Sequence, residues 1–163
     1  SFRLGGGGTG EEIDTDIYDY MEKPYKQLIV WDPQAEEIIG GYRFLSGNEV
    51  ELYENGQPKF VMSHLFNFNE KFVTDFLPYT IELGRSWVQP AFQPSVNPRK
   101  GIFALDNLWD GLGAIVVDNT DIKYFFGKVT MYLDFNQKAR DLILTFMNEV
   151  FNHALIVTLK VTN

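Results

Sequence analysis

The sequence predicts a mixed α/β (α+β) fold in one domain spanning residues 1–163. Strand patterns interleave with two helix patterns, which favours layers of sheet and helix. Two early apolar runs joined by a short polar turn predict an antiparallel hairpin. The chain has 163 residues, of which 45% are hydrophobic and 22% charged, a composition typical of a globular domain with a sizeable core.

Hydrophobic periodicity predicts the first elements. Residues 1–26 contain a glycine run and an acidic cluster and are predicted to be mostly loop. The chain begins without methionine, so a leader or an additional first helix before Ser1 is left open. Residues 27–31 and 37–45 are predicted to be the two strands of the hairpin, joined through residues 32–36.

The middle and the end of the chain alternate between strand and helix patterns. Asn55-Gly56 predicts a turn, whereas residues 60–66 fit either a strand or the entry to a short helix ending at residue 76. The remaining predicted elements are a strand at 80–88, a helix at 102–117, a strand at 122–132, a helix at 139–150 and a strand at 155–161.

Charge and composition exclude several function classes. The net charge of −8 disfavours non-specific nucleic-acid binding, which needs clustered cations. There is no cysteine, and the two histidines, His64 and His153, are far apart, so no metal site is expected. No apolar run approaches the roughly 20 residues that span a bilayer. A cytoplasmic protein is expected.

The most informative stretch is residues 79–90, an alternating strand that carries Glu82 and Arg85 and runs into a proline-rich loop at residues 90–101. The loop is predicted to open the helix at 102–117. A strand, a loop and a helix N-terminus in that order favour an anionic ligand, because backbone N–H groups point outward there.

Four segments carry a resemblance to a known family. They are Asp14-Thr15-Asp16-Ile17-Tyr18-Asp19, the strand sequence at 27–32, the sequence at 39–45 that contains Arg43, and Glu82-Leu83-Gly84-Arg85. In this order they resemble the acyltransferase branch of the GNAT superfamily, and more narrowly the bacterial haemolysin-like proteins that include ornithine and glycine N-acyltransferases of aminolipid synthesis. Acyl-homoserine-lactone synthases are more distant relatives. The resemblance runs from about residue 14 to residue 151.

The resemblance implies a GNAT fold, with a central, mostly antiparallel sheet flanked by helices. It implies an enzyme without a bound cofactor that moves a long, 3-hydroxylated acyl chain from acyl carrier protein, or from coenzyme A, to the amine of glycine or ornithine. A peripheral membrane contact is left open. Two other classes also stay open: a signal synthase that uses S-adenosylmethionine, and a non-catalytic acyl-binding relative.

The resemblance also implies where the acyl donor binds. Many relatives that use acetyl-CoA carry an Arg/Gln-x-x-Gly-x-Gly/Ala loop for the pyrophosphate, and residues 93–101 lack it. A phosphopantetheine with a single phosphate fits better, held by Arg99, Lys100 and the N–H groups from Gly101 onward. Trp87 and Val88 would line the donor on the strand. Solvated loop charges are an equally good interpretation of Arg99 and Lys100.

Glu82 and Arg85 are the candidate catalytic pair. Side chains three apart on a strand point to opposite faces unless a bulge intervenes, and Gly84 favours a kink. The resemblance implies a bulged strand whose N–H groups hold the thioester carbonyl. Glu82 would then take the amine proton directly or through water. A buried Glu82–Arg85 ion pair with a purely structural role is the alternative.

The acidic residues Asp14, Asp16 and Asp19 are candidates for acceptor binding, together with Arg43. Their spacing allows at least two carboxylates to bind an ammonium or to pair with Arg43 and Arg85. The homoserine-lactone synthases resemble this pattern position by position, which implies a functional or organising cluster. A solvated acidic loop is the alternative.

Three further features are discounted as sites. The glycine run at residues 5–10 lacks the context of a phosphate-binding loop. Clustered aromatics at 60–76 are expected to form core in preference to an acyl tunnel. His64 is expected to be a hydrogen-bonded structural residue.

Overall fold

The computed structural model describes residue 13 and residues 15–128, 136–150 and 157–159. Its six strands are β1 (Lys26–Asp32), β2 (Glu37–Ser46), β3 (Phe66–Phe68), β4 (Thr80–Val88), β5 (Tyr124–Phe126) and β6 (Val157–Leu159). Four of them form a sheet in the order β1-β2-β4-β5, in which only the β4–β5 pair is parallel. The strands β3 and β6 pair antiparallel in a second sheet. The predicted mixed fold with a mostly antiparallel sheet is confirmed.

The β1–β2 hairpin is confirmed, and its turn is built by one aspartate. Asp32 Oδ1 accepts the N–H groups of Gln34 at 2.9 Å and Ala35 at 3.2 Å, so the side chain closes the turn locally. The predicted Asn55-Gly56 turn is confirmed as well, since Gly56 has φ +77° and donates to the Tyr53 carbonyl at 2.9 Å.

Both predicted helices are present, as α1 (Pro98–Asp118) and α2 (Gln137–Val150). The start of α1 differs from the prediction, because Asn97 caps the helix by accepting the Lys100 N–H at 3.2 Å and Pro98 occupies the first turn. Arg99, Lys100 and Gly101 were expected in the preceding loop, and they instead lie within the first turn of α1. That loop also contains a short 3₁₀ turn at Pro90–Phe92.

The sheet is packed on both faces. Tyr42 and Leu45, three apart on β2, belong to different apolar clusters, as alternation along a strand requires. One cluster lies under α1 and contains Ile39, Val88, Phe92, Ala104 and Leu108. The other packs the segments around residues 18–25 and 60–77 on the opposite face and contains Tyr18, Tyr25, Leu45, Phe60, Met62, Phe68, Phe72 and Leu77.

The region from residue 60 to 76 combines both of the structures that the sequence left open. A 3₁₀ turn at Val61–His64 leads into β3, and a π-helical turn follows at Phe72–Phe76. Its aromatic residues form core as expected: Phe60, Phe68 and Phe72 are buried, and the other two pack against them.

Some sequence predictions lie partly or wholly outside the described residues. These are the glycine run at 5–10, Asp14, His153, and the outer parts of the strands expected at 122–132 and 155–161. Where the structure describes those two strands, they are present as β5 and β6. The organisation as one domain stays a prediction.

Candidate functional site

A bulge interrupts β4 beside Glu82. Arg43 pairs with Gly84 and Gly41 pairs with Trp87, so Arg85 and Ser86 together lie opposite a single residue of β2. The backbone turns at Arg85, which has φ +47°, and not at Gly84, where the kink was expected. The expected bulge is therefore present, one residue further along the chain.

The acidic segment folds into a capped 3₁₀ turn, Ile17–Asp19. Asp16 Oδ1 accepts the Tyr18 N–H at 3.0 Å, and Asp19 Oδ2 accepts the Asp16 N–H at 2.8 Å. Each carboxylate thus satisfies a backbone donor of the turn, in the reciprocal pattern of a capping box. Asp16 and Asp19 are consequently fixed in position and do not belong to a solvated loop.

Two arginines from neighbouring strands converge on this turn. Arg43 Nη1 lies 2.8 Å from Asp16 Oδ2 and 3.3 Å from Asp19 Oδ2. Arg85 Nη2 reaches the same Asp16 oxygen at 2.9 Å. Arg43 is 2% exposed, and its guanidinium carbon stands 4.9 Å from the centre of the Tyr25 ring. The predicted pairing of the acidic segment with both arginines is present, and it ties residues 16–19 to β2 and β4.

Glu82 lies on the inner face of β4 and is 1% exposed. Its carboxyl accepts the Met62 N–H at 2.7 Å, the Val61 N–H at 3.3 Å and the hydroxyl of Tyr25. Burial raises the pKa of Glu82 to about 7, against the lowering effect of these hydrogen bonds. A carboxyl with this pKa can gain or lose a proton near neutral pH.

The ion pair expected as an alternative, Glu82 with Arg85, is replaced by other contacts. Arg85 binds Asp16, and the donors of the Glu82 carboxyl are Tyr25 and the turn at Val61–His64. The structure thus brings Glu82, Arg43, Arg85, Asp16 and Asp19 into one region, with Tyr25 between the acid and the arginines.

The expected donor-side residues lie in and around the first turn of α1. Lys100 Nζ is 3.7 Å from Asp32 Oδ2 and 5.0 Å from the centre of the Phe92 ring. Arg99 is exposed and lies 5.8 Å from the Phe103 ring. Gly101 is buried against Pro94, so closely that a Cβ atom there would lie 2.5 Å from the Pro94 nitrogen.

Trp87 and Val88 face opposite sides of the sheet. Val88 is buried in the cluster under α1. Trp87 packs over Gly41, where a Cβ atom would lie 3.1 Å from its indole nitrogen. Val88 therefore sits with the α1 residues, whereas Trp87 shares the face of Arg43 and Glu82.

Sequence reasoning missed two tyrosines that complete the site. Tyr25 donates to Glu82 and accepts the Val61 N–H at 2.9 Å. The hydroxyl of Tyr18 is hydrogen-bonded to Nε2 of His64, in agreement with the expected hydrogen-bonded histidine. Burial raises the pKa of both phenols. The one available indication was that tyrosine, when buried, nearly always bonds its hydroxyl.

The described part of the chain contains no cluster of three or more His, Cys, Asp or Glu side chains arranged to hold a metal ion. Helices in this part of the chain are too short or too polar to cross a bilayer.

Sequence comparisons with known proteins identify the family of the chain. Residues 1–99 match the family described as an acetyltransferase (GNAT) domain. The glycine N(alpha)-acyltransferase of Phocaeicola vulgatus is 56% identical over 151 residues, which cover 93% of this chain and 46% of that protein. The glycine N(alpha)-acyltransferase of Bacteroides thetaiotaomicron is 55% identical over 152 residues, covering 93% of this chain and 45% of that protein. The chain thus spans about half the length of these curated relatives. No solved structure matches it significantly.

Proposed function

Because the chain belongs to the GNAT acetyltransferase-domain family, we propose that it acts in an N-acyltransferase whose acceptor is the amino group of glycine. The observation that carries the proposal is the 56% identity to a glycine N(alpha)-acyltransferase over 93% of this chain. Ornithine is the second acceptor that the sequence resemblance favours. The product is a mono-acylated amino acid, a precursor of an aminolipid made in the cytoplasm or at the membrane surface.

The chemistry requires a deprotonated amine and a polarised thioester. Glu82 first receives one proton from the ammonium group, and the resulting amine nitrogen attacks the thioester carbonyl. The C–N bond forms, the C–S bond breaks, and the sulfur leaves as a thiol with the second proton that the nitrogen gives up. The N–H groups freed by the bulge at Arg85 are candidates to stabilise the oxyanion. Because Glu82 is 1% exposed, we assign Tyr25 as the relay: its hydroxyl proton moves to the Glu82 carboxylate, to which it is hydrogen-bonded, as its oxygen takes the proton of the amine.

The proposed donor is an acyl group on the phosphopantetheine of acyl carrier protein. Residues 93–101 lack the glycine-rich pattern that holds the pyrophosphate of coenzyme A. The first turn of α1 carries two cations, Arg99 and Lys100, which suit one phosphate and an acidic carrier. The N–H groups of Lys100 and Gly101 are taken by Asn97, so these side chains, and not the N–H groups expected from Gly101 onward, would meet the phosphate.

The test offers the protein 3-hydroxyacyl and acyl thioesters, on acyl carrier protein and on coenzyme A, with a panel of free amino acids. Mass spectrometry of the organic extract should show N-acylglycine, formed with a higher kcat/KM from the carrier protein. A strict need for S-adenosylmethionine would indicate a signal synthase, and bound acyl chains without product would indicate a binding protein.

In the same assay, Glu82→Gln should lower kcat about 100-fold or more, the range typical of a lost general base. Glu49→Gln, which alters an exposed ion pair with Lys26, should retain full activity. If Glu82→Gln works normally per folded molecule, the carboxyl is structural only.

A further inference from the structure

A cleft of about 280 Å³ opens at the far end of the turn that Glu82 holds. Every described residue that lines it is polar: Tyr53, Asn55, Gln57, Ser63 and His64. This volume lies below the roughly 300–1,000 Å³ of sites for drug-sized ligands, and the wall combines apolar surface with the polar groups of these side chains. The cleft suits a small molecule that can form hydrogen bonds with those groups.

Hydrogen bonds to other parts of the protein fix the walls of the cleft. The Gln57 side-chain amide clamps β3, donating to the Phe68 carbonyl and accepting the Phe68 N–H, both at 2.8 Å. Asn55 Oδ1 accepts the Gln57 N–H at 3.1 Å and so shapes the turn. A wall fixed in this way loses little conformational entropy when a ligand binds.

The cleft is joined directly to the region proposed for catalysis. The first two N–H groups of the turn Val61–His64 donate to Glu82, and its last residue, His64, lines the cleft. A 3₁₀ helix rises about 2 Å per residue, so His64 starts about 6 Å from the end held by Glu82. Tyr18 lies in the 3₁₀ turn that the Arg43–Asp16 ion pair holds, and its hydroxyl is hydrogen-bonded to His64.

We propose that this cleft binds the acceptor amino acid as its zwitterion. The Tyr53 hydroxyl and the Asn55 amide supply donors for the carboxylate, whereas Lys59 Nζ, 5.7 Å from the Tyr53 ring centre, is paired with Glu51 at 2.6 Å and adds no net charge on that side. His64 and the Tyr18 hydroxyl face the amine, and the ring of Tyr18 packs against the ring of Tyr25, the residue that passes the proton to Glu82, with centroids 6.0 Å apart. Glu82 is then also a positioning residue, because it sets the turn that carries His64. This assignment rests on the proposed acyl transfer to an amino acid.

The test measures glycine binding to the intact protein by titration calorimetry, with glycinamide, which lacks the carboxylate, as the matched probe. Glycine should bind at least about 10-fold more tightly than glycinamide, the size expected for a charged hydrogen bond. Asn55→Asp keeps an oxygen for the Gln57 N–H and places a negative charge at the cleft. It should weaken glycine binding about 10-fold and glycinamide binding far less.

Two controls separate the cleft from general effects. Asn48→Asp makes the same charge change at an exposed turn elsewhere and should bind glycine normally. Tyr53→Phe should raise the KM for glycine with kcat little changed, whereas Tyr79→Phe, a comparably exposed tyrosine, should leave KM unaltered.

The outcomes distinguish this assignment from the proposed reaction. Normal glycine binding in both Asn55→Asp and His64→Gln would overturn the cleft assignment, even if N-acylglycine is made. Loss of glycine binding in those variants, in a protein that acylates no amino acid, would support the cleft assignment and reject the proposed reaction.

Discussion

Glu82 is subject to two opposing effects. Removal from water favours its protonated form, and three hydrogen-bond donors favour the carboxylate. Burial is the larger effect, since the pKa rises to about 7. The same donors link the acid to the turn at Val61–His64, so the side chain proposed to accept the proton also holds the local structure.

The raised pKa predicts a pH dependence of stability. Between the ordinary value of 4.5 and about 7, Glu82 stays protonated when folded and ionises when unfolded, so unfolding releases a proton. The free energy of unfolding should therefore fall as pH rises through this window, by about 3 kcal/mol for Glu82 alone, and level off above it. Urea unfolding at pH 5 and pH 8 should show this fall in the free energy of unfolding for the wild type. Glu82→Gln, which cannot titrate at this position, should lack it. Equal pH slopes in the two proteins would contradict the assignment, and exposed Glu54→Gln is the control.

Arg43 is the other residue on which the site depends. Its buried guanidinium holds two carboxylates of one turn, so Arg43→Met should destabilise the protein by about 3 kcal/mol, as expected when one partner of a buried pair is removed. Amide hydrogen exchange should accelerate at residues 18–20. Lys26→Met breaks an exposed pair with Glu49 and should cost under about 1 kcal/mol. A similar cost for both variants would show that Arg43 contributes no more than a surface charge.

At the scale of elements, the hydrophobic pattern of the sequence predicted the strands and helices whose formation depends on neighbouring residues. The strand at 80–88 was predicted with the bounds it has, because alternating apolar residues pack a half-buried sheet. The start of α1 was missed because the Asn97 cap and Pro98 decide it, outside the apolar repeat. The contacts of Tyr25 with Glu82 and of Tyr18 with His64 were not predictable, since each joins residues at least 46 positions apart.

The glycines of α1 predict opposite effects of one substitution. Gly101→Ala would place a Cβ atom 2.5 Å from the Pro94 nitrogen and 2.8 Å from the Phe92 carbonyl oxygen, against backbone that cannot easily move. Gly101→Ala should lower the free energy of unfolding by about 2 kcal/mol or more. A Cβ atom at Gly113 meets open space, so Gly113→Ala should stabilise the helix by about 0.5–1 kcal/mol. Thermal unfolding measures the stability change of each variant. If both variants were stabilised, or both destabilised, this packing of α1 would be wrong.

At the scale of the whole molecule, the two faces of the sheet divide the proposed work. The face with Arg43 and Glu82 holds the acceptor side, and the face under α1 leads to the cations at the start of that helix. The chain has a net charge of −8, so an acidic carrier protein is repelled overall and needs a local positive patch to approach. Arg99 and Lys100 provide two adjacent cations at a helix N-terminus.

Reversing those cations tests the carrier-protein surface. Changing both Arg99 and Lys100 to Glu should raise the KM for acyl carrier protein donors about 10-fold near 0.05 M salt and far less near 1 M, because ions screen surface charges. The fold should tolerate the change, since acids suit the first turn of a helix and the Lys100–Asp32 ion pair, 3.7 Å long with an exposed lysine, contributes little to stability. Changing the exposed Lys123 and Lys128 to Glu alters net charge equally and should leave KM unaffected. Equal effects of the two double variants would assign the result to overall charge, and a salt-independent effect would reject electrostatic steering at α1.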